Sequence, residues 1–124
     1  MLGKVCSMEH HKEAGPRNTM DWEIFPEGLR LTLLKLKPYR CPIFVTENGV
    51  CSDDDAVRCR FIEQHLAETR KAMRMGVPVI GYLYWSLLDN FEWARGFTPR
   101  FGLVEVDYKT QARKVRPSAG RTPR

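Results

Sequence analysis

The sequence has no C-x-x-C pair, no run of about eighteen apolar residues and no apolar core within residues 1–15. The first absence removes zinc-type spacing from the four cysteines, Cys6, Cys41, Cys51 and Cys59. The second leaves no segment able to span a bilayer as a helix, so no membrane partner is expected. The third removes a secretory pattern, and the thiols are expected to be reduced in a cytoplasmic protein. Internal repeats and low-complexity stretches are also missing. The net charge is +5, but the excess gathers at one end, where Arg113, Lys114, Arg116, Arg121 and Arg124 occur with almost no acid. A short basic end of this kind reads as a solvated tail, and no nucleic-acid partner is expected. His10 and His11 are adjacent in a polar segment with no third ligand in view. Neither a metal nor a cofactor is expected.

What is present is the composition of a globular chain: 43% hydrophobic, 28% charged and 10% aromatic over 124 residues. Residues 1–18 lack periodicity and read as an irregular lead-in. A first helix is predicted over about 26–37, with Pro26 at the first position, Glu27 at the positive dipole end and Pro38 as the stop. Its apolar face would be Leu29, Leu33 and Leu36. Ile43-Phe44-Val45-Thr46 is apolar without alternation, the pattern of a strand buried on both faces in a parallel sheet, and Asn48-Gly49 ends it. A second helix is predicted over about 54–75, capped by Ser52 or the acids that follow. Its stripe would be Ile62, Leu66, Thr69 and Met73, flanked by Phe61 and Ala72, with Gly76 as its stop. A second strand follows over 79–85. Strand, long helix, strand makes a βαβ unit and an α/β fold. A short extended piece is expected over 103–107, and 110 onward reads as irregular.

Two places carry chemistry. Glu47 stands at the carboxyl end of the first strand, where α/β folds bind ligands. A carboxylate there can act as acid, base or nucleophile, or can simply accept loop hydrogen bonds. The second strand ends in Tyr82, Tyr84, Trp85, Asp89, Asn90, Phe91, Glu92, Trp93 and Arg95. Rings take the C–H face of a pyranose while carboxylates accept hydroxyl protons, so this composition suits a sugar. It equally suits an aromatic core beneath a charged loop.

Val45-Thr46-Glu47-Asn48-Gly49 resembles the nucleophile motif of glycoside hydrolase family 1. Tyr84-Trp85-Ser86-Leu87-Leu88-Asp89-Asn90-Phe91-Glu92-Trp93 resembles the motif after that family's last barrel strand. Arg100-Phe101-Gly102-Leu103, Val106-Asp107-Tyr108, Trp22-Glu23-Ile24 and Pro26-Glu27-Gly28-Leu29 extend the similarity over 19–118. The resemblance implies the C-terminal portion of a (β/α)8 barrel: its last two strands and the helix between them. It implies Glu47 as the nucleophile of a retaining hydrolase of β-glucosides or related β-glycosides. It further implies Trp85 as a platform under the sugar, Glu92 as acceptor for the 4- and 6-hydroxyls, Trp93 as donor to the 3-hydroxyl, and Phe101 as a pocket wall.

The departures from the family matter as much. No Asn-Glu dipeptide is followed by Pro, so the acid/base motif is missing. The upstream Gln, His and Asn of the sugar pocket, and the tyrosine that orients the nucleophile, are missing too. Complete barrels of this type need about 200 to more than 400 residues. The chain is expected to be a fragment that needs the missing N-terminal barrel portion for turnover, with residues 119–124 as a disordered basic tail. A non-catalytic carbohydrate-binding module is the alternative reading.

Overall fold

The structure, a computed structural model, describes residues 15–121. Helix α1 spans Pro26–Leu36 and continues into a 3-10 turn at Lys37–Tyr39. Pro26 sits in its first turn, where a missing N–H costs nothing. Pro38 lies inside the 3-10 turn, and Arg40 reverses the chain with a φ of 54°. Leu33 is buried, with Leu29 and Leu34 packed beside it. Leu36, expected on that face, is exposed, because the helix ends there and Leu34 reaches the core in its place.

Strand β1 spans Ile43–Asn48 and strand β2 spans Val79–Tyr84, and the two pair in parallel. Helix α2, Asp55–Arg74, connects them. The βαβ unit read from the sequence is therefore present. Its architecture is a partial α/β barrel topology: two parallel strands, with α1 and α2 packed on one another. The core lies between helices and sheet, built from Leu33, Ala72 and Val77 with Ile43, Val45 and Val79 against them. Burying a side chain such as Leu33 stabilises by about 1.5–3 kcal/mol.

Asp54 caps α2 by accepting the Ala56 N–H at 2.8 Å, and Gly76 (φ 86°) follows its last turn. The buried face of α2 differs from the expected stripe. It consists of Arg58, Phe61, Ile62, His65, Glu68, Thr69 and Ala72, whereas Met73 is exposed. Polar side chains occupy this face because each finds a partner. Arg58 donates to the Ser52 and Arg100 carbonyls at 2.5 and 2.9 Å, and Glu68 accepts from Arg30 of α1 at 2.8 Å.

His65 gives this face a pH dependence. It stacks on Phe61 with ring centroids 3.7 Å apart and donates Nδ1–H to the Phe61 carbonyl. Burial pushes its imidazole below the ordinary value of 6.5, against the opposing pull of that carbonyl and of Glu68. As pH falls through 6.5 the unfolded chain binds a proton that the folded chain refuses, so stability is lost on acidification. His65→Gln should flatten the dependence of the denaturation midpoint between about pH 7.5 and about pH 5. An unchanged slope would assign it to other groups.

The end of the chain is more ordered than expected. Strand β3, Val104–Val106, lies within the predicted extended piece and pairs antiparallel with β4, Arg113–Val115. A 3-10 turn at Pro117–Arg121 then docks on α2. Ser118 is fully buried and donates its N–H and hydroxyl to Asp55 at 2.9 and 2.7 Å. Residues 119–121 thus belong to a docked turn and not to a disordered tail. At the other end, residues 15–18 are part of a local hairpin, with a bridge between Arg17 and Glu23. His10, His11 and Cys6 lie outside the described residues. Among the described residues, no three His, Cys, Asp or Glu side chains group to hold a metal, and no helix is long and apolar enough to cross a membrane.

Candidate active site

Strand β1 runs two residues beyond its apolar stretch and so carries Glu47 and Asn48 to the carboxyl end of the sheet, where Asn48 pairs with Tyr84. The neighbouring strand delivers Trp85 at the same level, since the Trp85 N–H donates to the Asn48 carbonyl at 3.1 Å. Gly49 makes this approach possible. A Cβ at position 49 would stand 1.6 Å from the Trp85 carbonyl oxygen. The Tyr82 hydroxyl donates to Asn48 Oδ1 at 2.6 Å, and burial pushes its pKa up, with the Tyr84 charge adding to it. Tyr84, also pushed up by burial, places its hydroxyl 3.4 Å from the Val50 carbonyl and 3.2 Å from that of Phe101. Both phenols stay protonated and act as fixed pins between the strand ends.

A cleft of about 310 Å³ opens here, lined by Trp22, Glu47, Asn48, Gly49, Trp85, Glu92 and Phe101. Four of the five residues singled out in the sequence, Glu47, Trp85, Glu92 and Phe101, meet in it. Trp93 does not line it and is 82% exposed, on a 3-10 turn at Trp93–Arg95. That turn closes when the Glu92 carbonyl accepts the Arg95 N–H at 2.8 Å and the Glu92 N–H donates to Gly96 at 2.7 Å. Among the described residues, neither the Glu47 nor the Glu92 carboxylate has a hydrogen-bond or ion-pair partner. Such carboxylates remain free to accept protons from ligand hydroxyls.

The sequence reading did not single out Trp22 as a site residue. Its ring packs at 47° and 6.3 Å from Phe101 and forms another wall of the cleft. Its signals were an indole just ahead of α1 and its place in the Trp22-Glu23-Ile24 stretch. The Asn48–Tyr82 bond was likewise not foreseen, since it depends on the strand register.

Fold and cleft together define a class: a portion of an α/β barrel with a carboxylate-and-aromatic site beyond its strand ends. Residues 3–120 match the family model described as Glycosyl hydrolase family 1. A beta-galactosidase of Sulfolobus acidocaldarius is 47% identical over 105 residues, covering 84% of this chain and 21% of that protein. Beta-glucosidase A of Thermotoga maritima is 46% identical over 114 residues, covering 83% and 26%. A 6-phospho-beta-galactosidase 1 of Streptococcus pneumoniae also matches, at 42% over 118 residues, covering 84% and 25%. The solved beta-glycosidase from Pyrococcus horikoshii superposes with a TM-score of 0.84 at 46% identity, over 88% of this chain and 26% of that one. The chain belongs to glycosyl hydrolase family 1, and it spans about a quarter of the length of these relatives.

Proposed function

We propose that the chain is the C-terminal part of a retaining β-glycosidase and supplies the nucleophile, Glu47, but not the acid/base. The observation that supports this reading most is the pair of unpartnered carboxylates, Glu47 and Glu92, in one cleft with Trp85 and Phe101. Glu47 attacks the anomeric carbon. The C–O bond to the leaving group breaks as a glycosyl–Glu47 ester forms, and water then hydrolyses that ester with net retention. The sugar's C–H face rests on Trp85, with Phe101 and Trp22 as walls. Glu92 accepts from the 4- and 6-hydroxyls. The exposed indole N–H of Trp93, directly after Glu92, donates to the 3-hydroxyl. The leaving oxygen needs a proton from a second carboxyl group about 5–5.5 Å from the nucleophile. The chain has no motif for it, and the missing N-terminal barrel portion supplies it. Among substrates, Glu92 favours β-glycosides without a 6-phosphate, because two anions repel strongly in a site of low dielectric.

The test is steady-state hydrolysis of aryl β-glucosides by the chain alone, and by the chain fused behind the barrel portion of a family relative that carries the acid/base. The chain alone should show background rates only, and the restored barrel should turn over. Glu92→Ala in the restored barrel should lower kcat/KM by at least roughly 10- to 150-fold, the loss of about 1.5–3 kcal/mol expected for each charge-assisted hydrogen bond removed. Turnover by the chain alone that Glu47→Gln abolishes would overturn the missing-acid reading. Glycan binding without hydrolysis in the restored barrel would favour a non-catalytic carbohydrate-binding module.

A further inference from the structure

The loop that carries Trp85 and Glu92 into the cleft is anchored by a residue that does not line the cleft. Asp89 is buried, with no exposed side-chain surface. Its Oδ1 accepts the Gly102 N–H at 2.8 Å and Arg116 Nη1 at 3.0 Å. Its Oδ2 accepts Arg116 Nη2 at 3.0 Å, Arg100 Nη1 at 3.2 Å and the Val106 N–H at 3.4 Å. One carboxylate therefore ties its own loop to three separate stretches, around Gly102, Val106 and Arg116. Gly102 directly follows Phe101, a cleft wall.

The backbone repeats the same connection. Segments 86–89 and 101–104 lie side by side. Leu103 N–H donates to the Ser86 carbonyl at 2.9 Å, Val104 N–H to that of Leu87 at 2.9 Å, and Asp89 N–H to that of Val104 at 3.1 Å. The fit has no slack: a Cβ at Gly102 would stand 2.3 Å from the Asp89 backbone nitrogen. Arg116 reaches Asp89 with both ends of its guanidinium and donates to the Gly102 carbonyl at 2.7 Å as well. Arg100 is itself held, over the Tyr108 ring at 4.6 Å and on the Val106 carbonyl at 3.0 Å. Burial alone would raise the Asp89 carboxyl, but the Arg116 guanidinium and the Gly102 N–H outweigh it and hold the group charged, below the ordinary value of 3.8. Two guanidinium groups on one carboxylate leave no room for an amide, whose NH2 would face donors.

We propose that Asp89, clamped by Arg116 and Arg100, is a positioning residue that sets Trp85 and Glu92 at their distance from Phe101 and so determines recognition of the sugar's C6 hydroxymethyl group. The proposal rests on the reading of Glu92 given above. Nothing in it requires Asp89 to touch substrate.

The restored barrel provides the test, through its preference for aryl β-glucosides over aryl β-xylosides, which lack that hydroxymethyl group. A loss of folded protein lowers both rates equally and leaves the ratio intact. Displacement of Glu92 lowers the glucoside rate more. Asp89→Asn should reduce the ratio of kcat/KM values by on the order of tenfold. Arg116→Lys, which keeps the charge but not the two-pronged geometry, should reduce it less. Gly102→Ala, which pushes the two segments apart with the carboxylate intact, should follow Asp89→Asn. An unchanged ratio in Asp89→Asn and Arg116→Lys would overturn the proposal, and so would insolubility of both, which would assign the cluster to folding alone. If Glu92→Ala leaves that ratio unchanged in the same barrel, the reading of Glu92 fails instead.

Discussion

Glu47→Gln in the restored barrel should lower turnover by on the order of a thousandfold or more, the scale expected when a covalent nucleophile is lost. The substitution keeps the side chain's size and replaces an anionic oxygen by an amide that does not attack an anomeric carbon. Binding of an unreactive glycoside analogue should change little, because Trp85, Phe101 and Glu92 are untouched. The loss should fall on kcat and not on affinity. A further arm separates attack from simple electrostatic support. In Glu47→Gly, added azide should restore turnover and yield a product of inverted configuration, since the small anion attacks once from the face the carboxylate vacated. Wild-type rates in Glu47→Gln, or rescue with retention, would refute the assignment.

The second large effect concerns the chain by itself. Among the described residues its parallel sheet has two strands, and each keeps an unpaired outer edge. Phe44 on β1, and Ile80 and Leu83 on β2, are 48%, 67% and 54% exposed. Next to the β2 edge an apolar groove runs along α2, lined in part by Leu66, Met73, Val79 and Ile80. A two-stranded sheet is marginal even with helical support, and contiguous exposed apolar surface drives association. The purified chain should therefore elute as species well above its 14.4 kDa mass, by chromatography with light scattering. Ile80→Lys with Leu83→Lys should shift the distribution toward monomer, because charge on an open edge opposes pairing. A sharp monomer peak with cooperative melting in the unmodified chain would show that it needs no other polypeptide, and would favour the binding-module reading.

Much of this fold was legible because its signals are local. Pro26 and Glu27 mark a helix start, Gly76 marks a helix end, and the Ile43–Val45 run stops at Asn48-Gly49. Those features alone place Glu47 at a strand end. What stayed hidden depends on contacts distant in sequence. Arg58 and Glu68 face inward on α2 because carbonyls and a charge from other segments satisfy them, and an apolar pattern cannot register that. Leu66 and Met73 fit the helical period yet border the open groove. Strand β4 is two basic residues and a valine, and its order comes from pairing with β3. Trp22 packs in the cleft against Phe101, which lies far along the chain from it.

The contact between Gly49 and the Trp85 carbonyl oxygen has a consequence for how this site can change. Residue 49 follows the proposed nucleophile by two positions, and the proposed sugar platform presses against it from the other strand. The strand tip that holds Glu47 cannot advance without displacing the Trp85 backbone, and the Trp85 backbone cannot shift toward it without meeting that tip. Reach of the proposed nucleophile and placement of the proposed platform's backbone are then coupled. Evolution or engineering that seeks a thicker or flatter ligand has no freedom to tune one against the other at this seam. Adaptation must come from walls that are set separately, such as Trp22, which arrives on the segment ahead of α1.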